Sequence, residues 1–325
     1  MNSSTLDQGQ IRVAVVGGGR NGEHDVSLAS AAAVAAGLEE TGHHRAVRLT
    51  VDRDGLWRDD ELRPLGLAGA VRVLQTCDVV FPVLHGVHGE DGTLAALCEL
   101  AGVRYVGSGV GAGALALDKW ATKLIAGAVG VATAPGRLLA GSADREELLA
   151  APWGGPVVVK PVTAGSSLGV SLVREPGELP AALASAVALD DRVLVEEFVV
   201  GREFCVAVLA RPDGTRRTAP IEEVVRDGIF DHAAKYGGHP DIRLPADLDP
   251  SEAGALEAAA VAVFDALGCR GLARADFFLT ADGVVLNEVN TTPGFTAHSA
   301  APLMFAAGGL GYGDLLDVLV RDALV

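Results

Sequence analysis

The stretch RADFFLTADGVVLNEVN, residues 274–290, constrains this chain more than any other. Phe277-Phe278-Leu279 and Val284-Val285-Leu286 are β-forming runs, and Ala281-Asp282-Gly283 between them is a turn signal, so the segment reads as a hairpin. Strand side chains alternate faces, which puts Arg274 and Asp276 on one side of the first strand and Glu288 and Asn290 on one side of the second. If those sides coincide, two carboxylates, an amide oxygen and a guanidinium converge. Such oxygens suit a hard cation such as Mg2+, which keeps part of its shell for water and nucleotide phosphates. The competing reading is a solvated polar face on an amphipathic hairpin. The next segment, Thr291-Thr292-Pro293-Gly294-Phe295-Thr296-Ala297-His298-Ser299, favours a site, because polar strand residues running into a Gly/Pro loop make a floor and a rim.

Around this hairpin there is material for two or three compact lobes: 325 residues, 49% of them hydrophobic, with 41 glycines. A formal net charge of -16 argues against nucleic acid or an anionic membrane as a general partner. An anionic substrate therefore needs local basic residues. The first residues lack the basic start and apolar core of a secretory signal, and apolar runs break well before about 18 residues, so the expected location is the cytoplasm. Cys77, Cys98, Cys205 and Cys269 lie too far apart for a zinc-type Cys-x-x-Cys and are expected to be buried reduced thiols.

From the N-terminus, Ile11 to Val16 is a β run, Gly17 to Gly22 a glycine turn, and Asp25 to Glu40 a helical pattern, together the opening of a βα unit. Gly17, Gly19 and Gly22 also match G-x-G-x-x-G, a weak dinucleotide signal. The acid that should meet a ribose, Asp52, comes 30 residues after Gly22, against the usual about 20. A nicotinamide dehydrogenase is thereby reduced to a distant alternative. Glu23 sits where glycine turns press against a ligand; its alternative role is charge complementation at the helix N-terminus, which Asp25 fills equally well. A strand at Val79 to Leu84 ends in His85-Gly86-Val87-His88-Gly89-Glu90-Asp91-Gly92, the kind of loop that binds ligands beyond a parallel strand; a plain helix-entry histidine is the alternative. A helix from Thr93 to Leu100 and a short strand and turn, Tyr105 to Gly109, close a first lobe of about 110 residues.

The pattern from Ala114 through Lys119 to Lys123 is helical, with Pro135 marking the exit. Pro156 to Pro161 is a β run carrying Lys160, and Val162 to Ser171 a small-residue hairpin loop whose N–H groups and hydroxyls suit phosphates. It is not a Walker loop, since the lysine comes first and no helix follows. Beside Lys119 and Lys160 in an acidic chain, a nucleotide cover outweighs an ordinary surface hairpin. Val193 to Phe198 is a strand with Glu196 and Glu197, placed to offer backbone to a purine, and on the next, Arg202 to Leu209, Glu203 is placed to accept from ribose hydroxyls; either reads also as a solvated strand residue. Val225 to Pro245 is irregular and lid-like, and Ser251 to Leu267 is a helix leading back to the hairpin.

Taken in order, GGGRNGEHDVSLAS (17–30), FPVLHGVHGEDGT (81–93), YVGSGVGAGALALDKWATK (105–123), VVVKPVTAGSSLGVS (157–171), GCRGLARADFFL and LNEVNTTPGFTAHS resemble the D-alanine–D-alanine ligases of the ATP-grasp superfamily over nearly the whole chain. The resemblance implies an α/β fold with α+β lobes: a Rossmann-like parallel-sheet domain at 1–110, a central ATP-grasp subdomain with the phosphate-covering loop at 111–196, and a C-terminal subdomain with metal site and lid at 197–325. It implies ATP, Mg2+ or Mn2+ as two ions on Asp276, Glu288 and Asn290, and small-molecule partners handled by a homodimer. By the same resemblance Lys119 and Lys160 meet phosphates with Ser167, and Glu196, Glu197, Phe198, Val199 and Glu203 hold the nucleoside. Glu23 takes the first ammonium with His85 lining its pocket, Arg274 and the Gly294 N–H face an oxyanion, and Lys235 and Ser299 bind the second carboxylate. Ser166 and Tyr236 join Glu23 in a network tying cover to floor, and Tyr236 favours dipeptide over ester. The chain departs from the family at Ala300, where a larger apolar residue is common, at Phe230 and His232, which replace tyrosines, and at Ala164, which replaces a glutamate. The alternative these suggest is a D-amino acid ligase with another second substrate, in antibiotic biosynthesis or self-resistance.

Overall fold

A computed structural model describes residues 9–225 and 241–325. Lys235, Tyr236 and most of the expected lid lie outside the described residues. Strands β1 (Ile11–Gly18), β2 (His44–Val51), β3 (Trp57–Arg58), β4 (Val79–Pro82) and β5 (Arg104–Tyr105) form a sheet in the order β3-β2-β1-β4-β5, with β3 alone antiparallel. Val13, Ala14, Val15 and Val16 of β1 are all fully buried, as a parallel strand covered on both faces requires. The strand order reverses between β1 and β4, so the crevice where such sheets bind ligands opens between the loops that follow them. Those loops carry Glu23 and His85. Ser27 ties them together, its Oγ accepting from the Gly18 N–H at 2.9 Å and donating to the Val83 carbonyl at 2.6 Å. Gly18 has φ +96°, and a Cβ there would stand 2.2 Å from the Val51 carbonyl oxygen, so only glycine turns the chain here.

The second sheet is antiparallel: β7 (Gly136–Leu139), β8 (Val157–Pro161), β9 (Ser171–Val173) and β10 (Val193–Glu197) in the order β7-β10-β8-β9. The third sheet contains β11 (Arg202–Ala210), β13 (Glu222–Val225), β14 (Asp241–Arg243), β15 (Leu272–Thr280) and β16 (Gly283–Asn290). It runs β14-β13-β11-β15-β16-β6, where β6 is Ala132–Thr133, and β12 (Arg216–Thr218) pairs with β11. Two expectations are corrected here. Asp241–Arg243 belongs to the segment read as irregular, yet it pairs with β13. The helix read as continuous from Ala114 to Lys123 is two helices, Val110–Leu117 and Lys119–Ala128. Asp118 between them is extended and accepts from the Ala121 N–H at 2.8 Å, an N-cap that starts the second helix afresh.

Both helices and β6 pack with the third sheet, since Ala112, Ala116, Ala126 and Val131 share a core with Phe204, Phe277 and Leu286. Partition by sheet therefore differs from partition along the chain. The closing helices, Ala300–Ala307 and Tyr312–Asp322, place Met304, Phe305 and Leu316 in one core with Val13, Phe81, Leu272 and Phe295. That shared core fixes the first lobe's loops over the β15–β16 hairpin. The four cysteines are free and buried. No single helix among the described residues is long and apolar enough to cross a membrane.

Candidate active site

On the floor, Asp276 stands opposite Glu288 and Arg274 opposite Asn290, so the two polar faces coincide. A bulge after Asp276 pairs Phe277 with Leu286 and leaves Asn287 over. Such a bulge re-aims a side chain, and Asn287 Oδ1 accepts from Lys160 Nζ of the second sheet at 3.2 Å. Arg274 donates from Nε and Nη2 to the two oxygens of Asp276 at 2.7 and 2.8 Å. Lys119 Nζ lies 3.4 Å from Glu288 Oε2. Burial pushes the Glu288 carboxyl up, but Lys119, Lys160 and Arg274 together hold it below the usual range.

No group of three or more His, Cys, Asp or Glu side chains assembles as a metal site among the described residues. The oxygens on this face are two carboxylates and an amide, each already facing a donor: Asp276 faces Arg274, Glu288 faces Lys119, and Asn290 Oδ1 accepts from the Thr292 N–H at 3.1 Å. With the lone pairs that remain they are the partial set a hard cation completes with water and phosphate oxygens. A guanidinium and an ammonium already stand against those carboxylates, so positive charge is what this face accepts. The residues fit a divalent ion.

The walls close from two sides. Glu23 precedes the helix His24–Glu40 but makes no side-chain cap to it; Asp25 supplies the acid of the first turn. The Glu23 carboxylate instead accepts from Ser166 Oγ at 2.5 Å. Ser166 and Ser167 have φ +51° and +56°, a left-handed backbone that costs on the order of 1–3 kcal/mol per residue and persists where function demands it. Lys119 Nζ donates to the Ala164 carbonyl at 2.8 Å, so the cover loop is held from the floor side as well. His85 is buried, its Nδ1 donating to the Thr292 carbonyl at 2.9 Å, while Nε2 has no partner among the described residues. Burial lowers its pKa against the pull of Glu23. A neutral ring with Nδ1–H leaves Nε2 as an acceptor. Glu23, His85, Lys119, Ser166, Arg274 and Glu288 line one cleft of about 230 Å³, together with Ser167, Asn290 and Gly294.

On β8 and β10, the two central strands of the second sheet, Lys160 meets Glu196 Oε2 at 2.5 Å. The N–H groups of Glu197 and Phe198 are taken by the carbonyls of Pro135 and Pro156, so that strap offers a purine less backbone than its position suggests. Glu203 lies on the same face of β11 as Cys205, which pairs with Asp276. Ser299 and Ala300 stand beyond the cleft lining, at the start of the helix Ala300–Ala307. Ser299 Oγ accepts from the Thr296 N–H at 3.0 Å and lies 3.2 Å from where a Gly294 Cβ would be.

Two residues escaped the sequence reading. Lys123, one helical turn after Lys119, is buried against Glu196; its signal was a lysine on the apolar stripe of a helix. Glu90 accepts from the Gly86 N–H at 2.7 Å and the Thr292 N–H at 3.3 Å, joining the His85 loop to the floor. Burial pushes its carboxyl up to about 7 from an ordinary 4.5. The folded chain then binds that proton more tightly than the unfolded one. The stabilisation is complete below about 4.5 and is lost as pH rises through about 7, up to about 3 kcal/mol. Melting wild type and Glu90→Gln from about pH 4 to pH 8 should show the wild type losing stability over that window relative to the variant. Parallel curves would remove the assignment.

A polar cleft between two sheets, roofed by a small-residue loop and floored by an acid-amide hairpin, is the arrangement of an ATP-grasp enzyme. Residues 133–321 match the family model described as the D-ala D-ala ligase C-terminus and residues 58–108 that of the N-terminus. A D-alanine--D-alanine ligase of Mycolicibacterium smegmatis is 41% identical over an alignment 372 positions long, covering 100% of this chain and 98% of the relative. One from Mycobacterium ulcerans is 39% identical over 369, with the same coverage. Among solved structures, the VanG D-Ala:D-Ser ligase of Enterococcus faecalis superposes with a TM-score of 0.85 at 33% identity, covering 97% of this chain and 99% of that one. The D-alanyl-alanine synthetase A of Vibrio cholerae gives 0.86 at 28%, covering 98% and 99%. The chain belongs to the D-alanine–D-alanine ligase family. It is a ligase, of a family that uses ATP and a divalent metal. The dehydrogenase alternative falls with that membership, and Asp52, its ribose acid, is engaged by Arg58 Nε at 2.6 Å.

Proposed function

We propose that this enzyme joins two D-alanines into D-alanyl-D-alanine through an acyl phosphate, forming ADP and supplying peptidoglycan precursor. The observation that carries the reading is the convergence of Glu23, His85, Arg274 and Glu288 on one cleft beside Lys119. The first amino acid sets its ammonium between Glu23 and the acceptor Nε2 of His85. Its carboxylate oxygen attacks the γ-phosphorus and ADP leaves. The second amino acid, its ammonium having given a proton to solvent, adds through nitrogen to the acyl carbon, and the nitrogen's next proton leaves with the phosphate. Charge then gathers on the carbonyl oxygen, where Arg274, with Nη1 not spent on Asp276, and the Gly294 N–H act most strongly. Phosphate departs as the amide forms.

Asp276, Glu288 and Asn290 hold Mg2+ or Mn2+, two ions, which when bound neutralise charge on the transferring phosphoryl group. Lys119, Lys160 and Ser167 take the phosphates; Glu197, Phe198, Val199 and Glu203 take the nucleoside, while the Glu196 carboxylate, expected beside them, is turned to Lys123 and Lys160; Lys235 and Ser299 take the second carboxylate. Glu23 and Ser166, with Tyr236, close the cover and exclude water that would hydrolyse the acyl phosphate. The working form is a cytoplasmic homodimer with units at 1–110, 111–196 and 197–325, acting on small molecules and not on nucleic acid or membrane. With ATP, Mg2+ and D-alanine, phosphate and dipeptide should appear in equal amounts. Phosphate release that does not require D-alanine, or no dipeptide at any concentration, would overturn the proposal.

Ala300 favours a second reading, in which the second substrate is another D-amino acid. A solved relative at 33% identity is a D-Ala:D-Ser ligase, so second-substrate choice varies within reach of this sequence. Ala300→Leu should shift selectivity toward D-alanine by roughly tenfold, since added methylenes fill the subsite. A panel of second D-amino acids assayed for product checks it; unchanged selectivity would remove this reading.

A further inference from the structure

Between the second sheet and the hairpin two ammonium groups share one carboxylate. Lys123 Nζ donates to Glu196 Oε1 at 2.6 Å and to the Ala134 carbonyl, and Lys160 Nζ meets Glu196 Oε2 at 2.5 Å. Among the described residues the second contact of Lys160 is neutral, Asn287 Oδ1 at 3.2 Å. All three charged side chains are buried. The pocket for the carboxylate is built, because Gly136 faces Glu196 across β7 and β10 and a Cβ there would stand 2.9 Å from Glu196 Cγ. Burial pushes the Glu196 carboxyl up, yet Lys160 and Lys123 together hold it below its ordinary range. Within the cluster one anion faces two cations, and the next carboxylate that Lys160 acts on, Glu288, is shared with Lys119 and Arg274, so burial still favours the arrival of another anion.

We infer that Lys123 is a positioning residue for the nucleotide: it is the standing counter-ion of Glu196, and by staying there it frees Lys160 to turn to a phosphate. Without Lys123, Glu196 and Lys160 become a matched buried pair, and reaching a phosphate means leaving Glu196 buried and unpaired. The inference rests on the nucleotide reading of the cleft.

ADP titrated onto the full chain by calorimetry, with steady-state kinetics, tests it. Lys123→Met should weaken ADP binding and raise KM for ATP about tenfold or more, with KM for D-alanine and kcat within about threefold, and Lys123→Arg should restore most of the loss. The double variant Lys123→Met/Glu196→Gln has no anion to hold Lys160 back and buries no unpaired carboxylate. It should bind ADP more tightly than Lys123→Met, and it serves as the test against wild type where the single variant does not fold. ADP affinity in Lys123→Met within about twofold of wild type, or a double variant that binds no better than the single one, would overturn the inference. A wild-type chain that does not bind ADP would instead overturn the nucleotide reading, so the two failures are distinct.

Discussion

Asp276→Asn should cut metal-dependent kcat/KM by about a thousandfold or more while the chain stays folded. The substitution keeps shape and one acceptor oxygen but removes one of only two carboxylates on the hairpin face. For the fold, the loss falls on Arg274, which spends Nε and Nη2 on Asp276. Breaking a buried pair outright costs about 3–5 kcal/mol. Here the guanidinium keeps the asparagine oxygen, and two further carboxylates attract it, Glu288 and the buried Glu222. Glu222 pairs with Cys205, which pairs with Asp276, so all three share one face of the sheet. A stability loss of about 2 kcal/mol is therefore the larger expectation, a few degrees in Tm for a chain of this length. Phosphate release across a Mg2+ titration, with a thermal melt as control, checks both parts. A normal rate at ordinary Mg2+ would mean that the hairpin face is solvated surface.

The hairpin was legible because its signal is local: two apolar runs, a turn, and period-two alternation that fixes facing once pairing is given. The bulge beside Asp276 was not, because the extra residue is decided by where Asn287 is drawn, across to Lys160, 127 positions away in sequence. The break at Asp118 was hidden in a run that is apolar or small on both sides, although an aspartate accepting three residues on is a cap signal. Glu23 could be placed at a glycine turn, but choosing between helix acid and site acid needed its partner, Ser166, 143 residues on. Lys123 and Glu90 were missed for the same reason. Their partners Glu196 and Thr292 lie 73 and 202 positions away, and spacing holds no record of contacts made by folding. The roles of Arg274 and Gly294 came from resemblance alone.

Glu23→Gln is expected to raise KM for the first amino acid about a hundredfold and to release phosphate in excess of dipeptide. The carboxylate is enclosed on a tight scale: Cβ atoms on Gly86 and Gly165, from two different loops, would stand 3.1 and 2.9 Å from its Oε2. Glutamine fills that enclosure, so packing is kept and only the charge goes. Two consequences follow from the loss of charge. An ammonium is left facing a neutral amide and neutral His85, where a buried cation without a counter-charge is strongly disfavoured. The bond from Ser166 Oγ, now 2.5 Å, becomes a neutral one of about half the strength, while Ser166 and Ser167 still carry the cost of left-handed backbone. The cover then opens more often, and water reaches the acyl phosphate before the second amine does. KM for ATP should move by no more than about threefold, since Lys119, Lys160 and the floor are untouched. Phosphate and dipeptide measured side by side over a range of D-alanine decide the matter. If their ratio stays at one and KM for D-alanine is unchanged, Glu23 is only the acid that begins a helix.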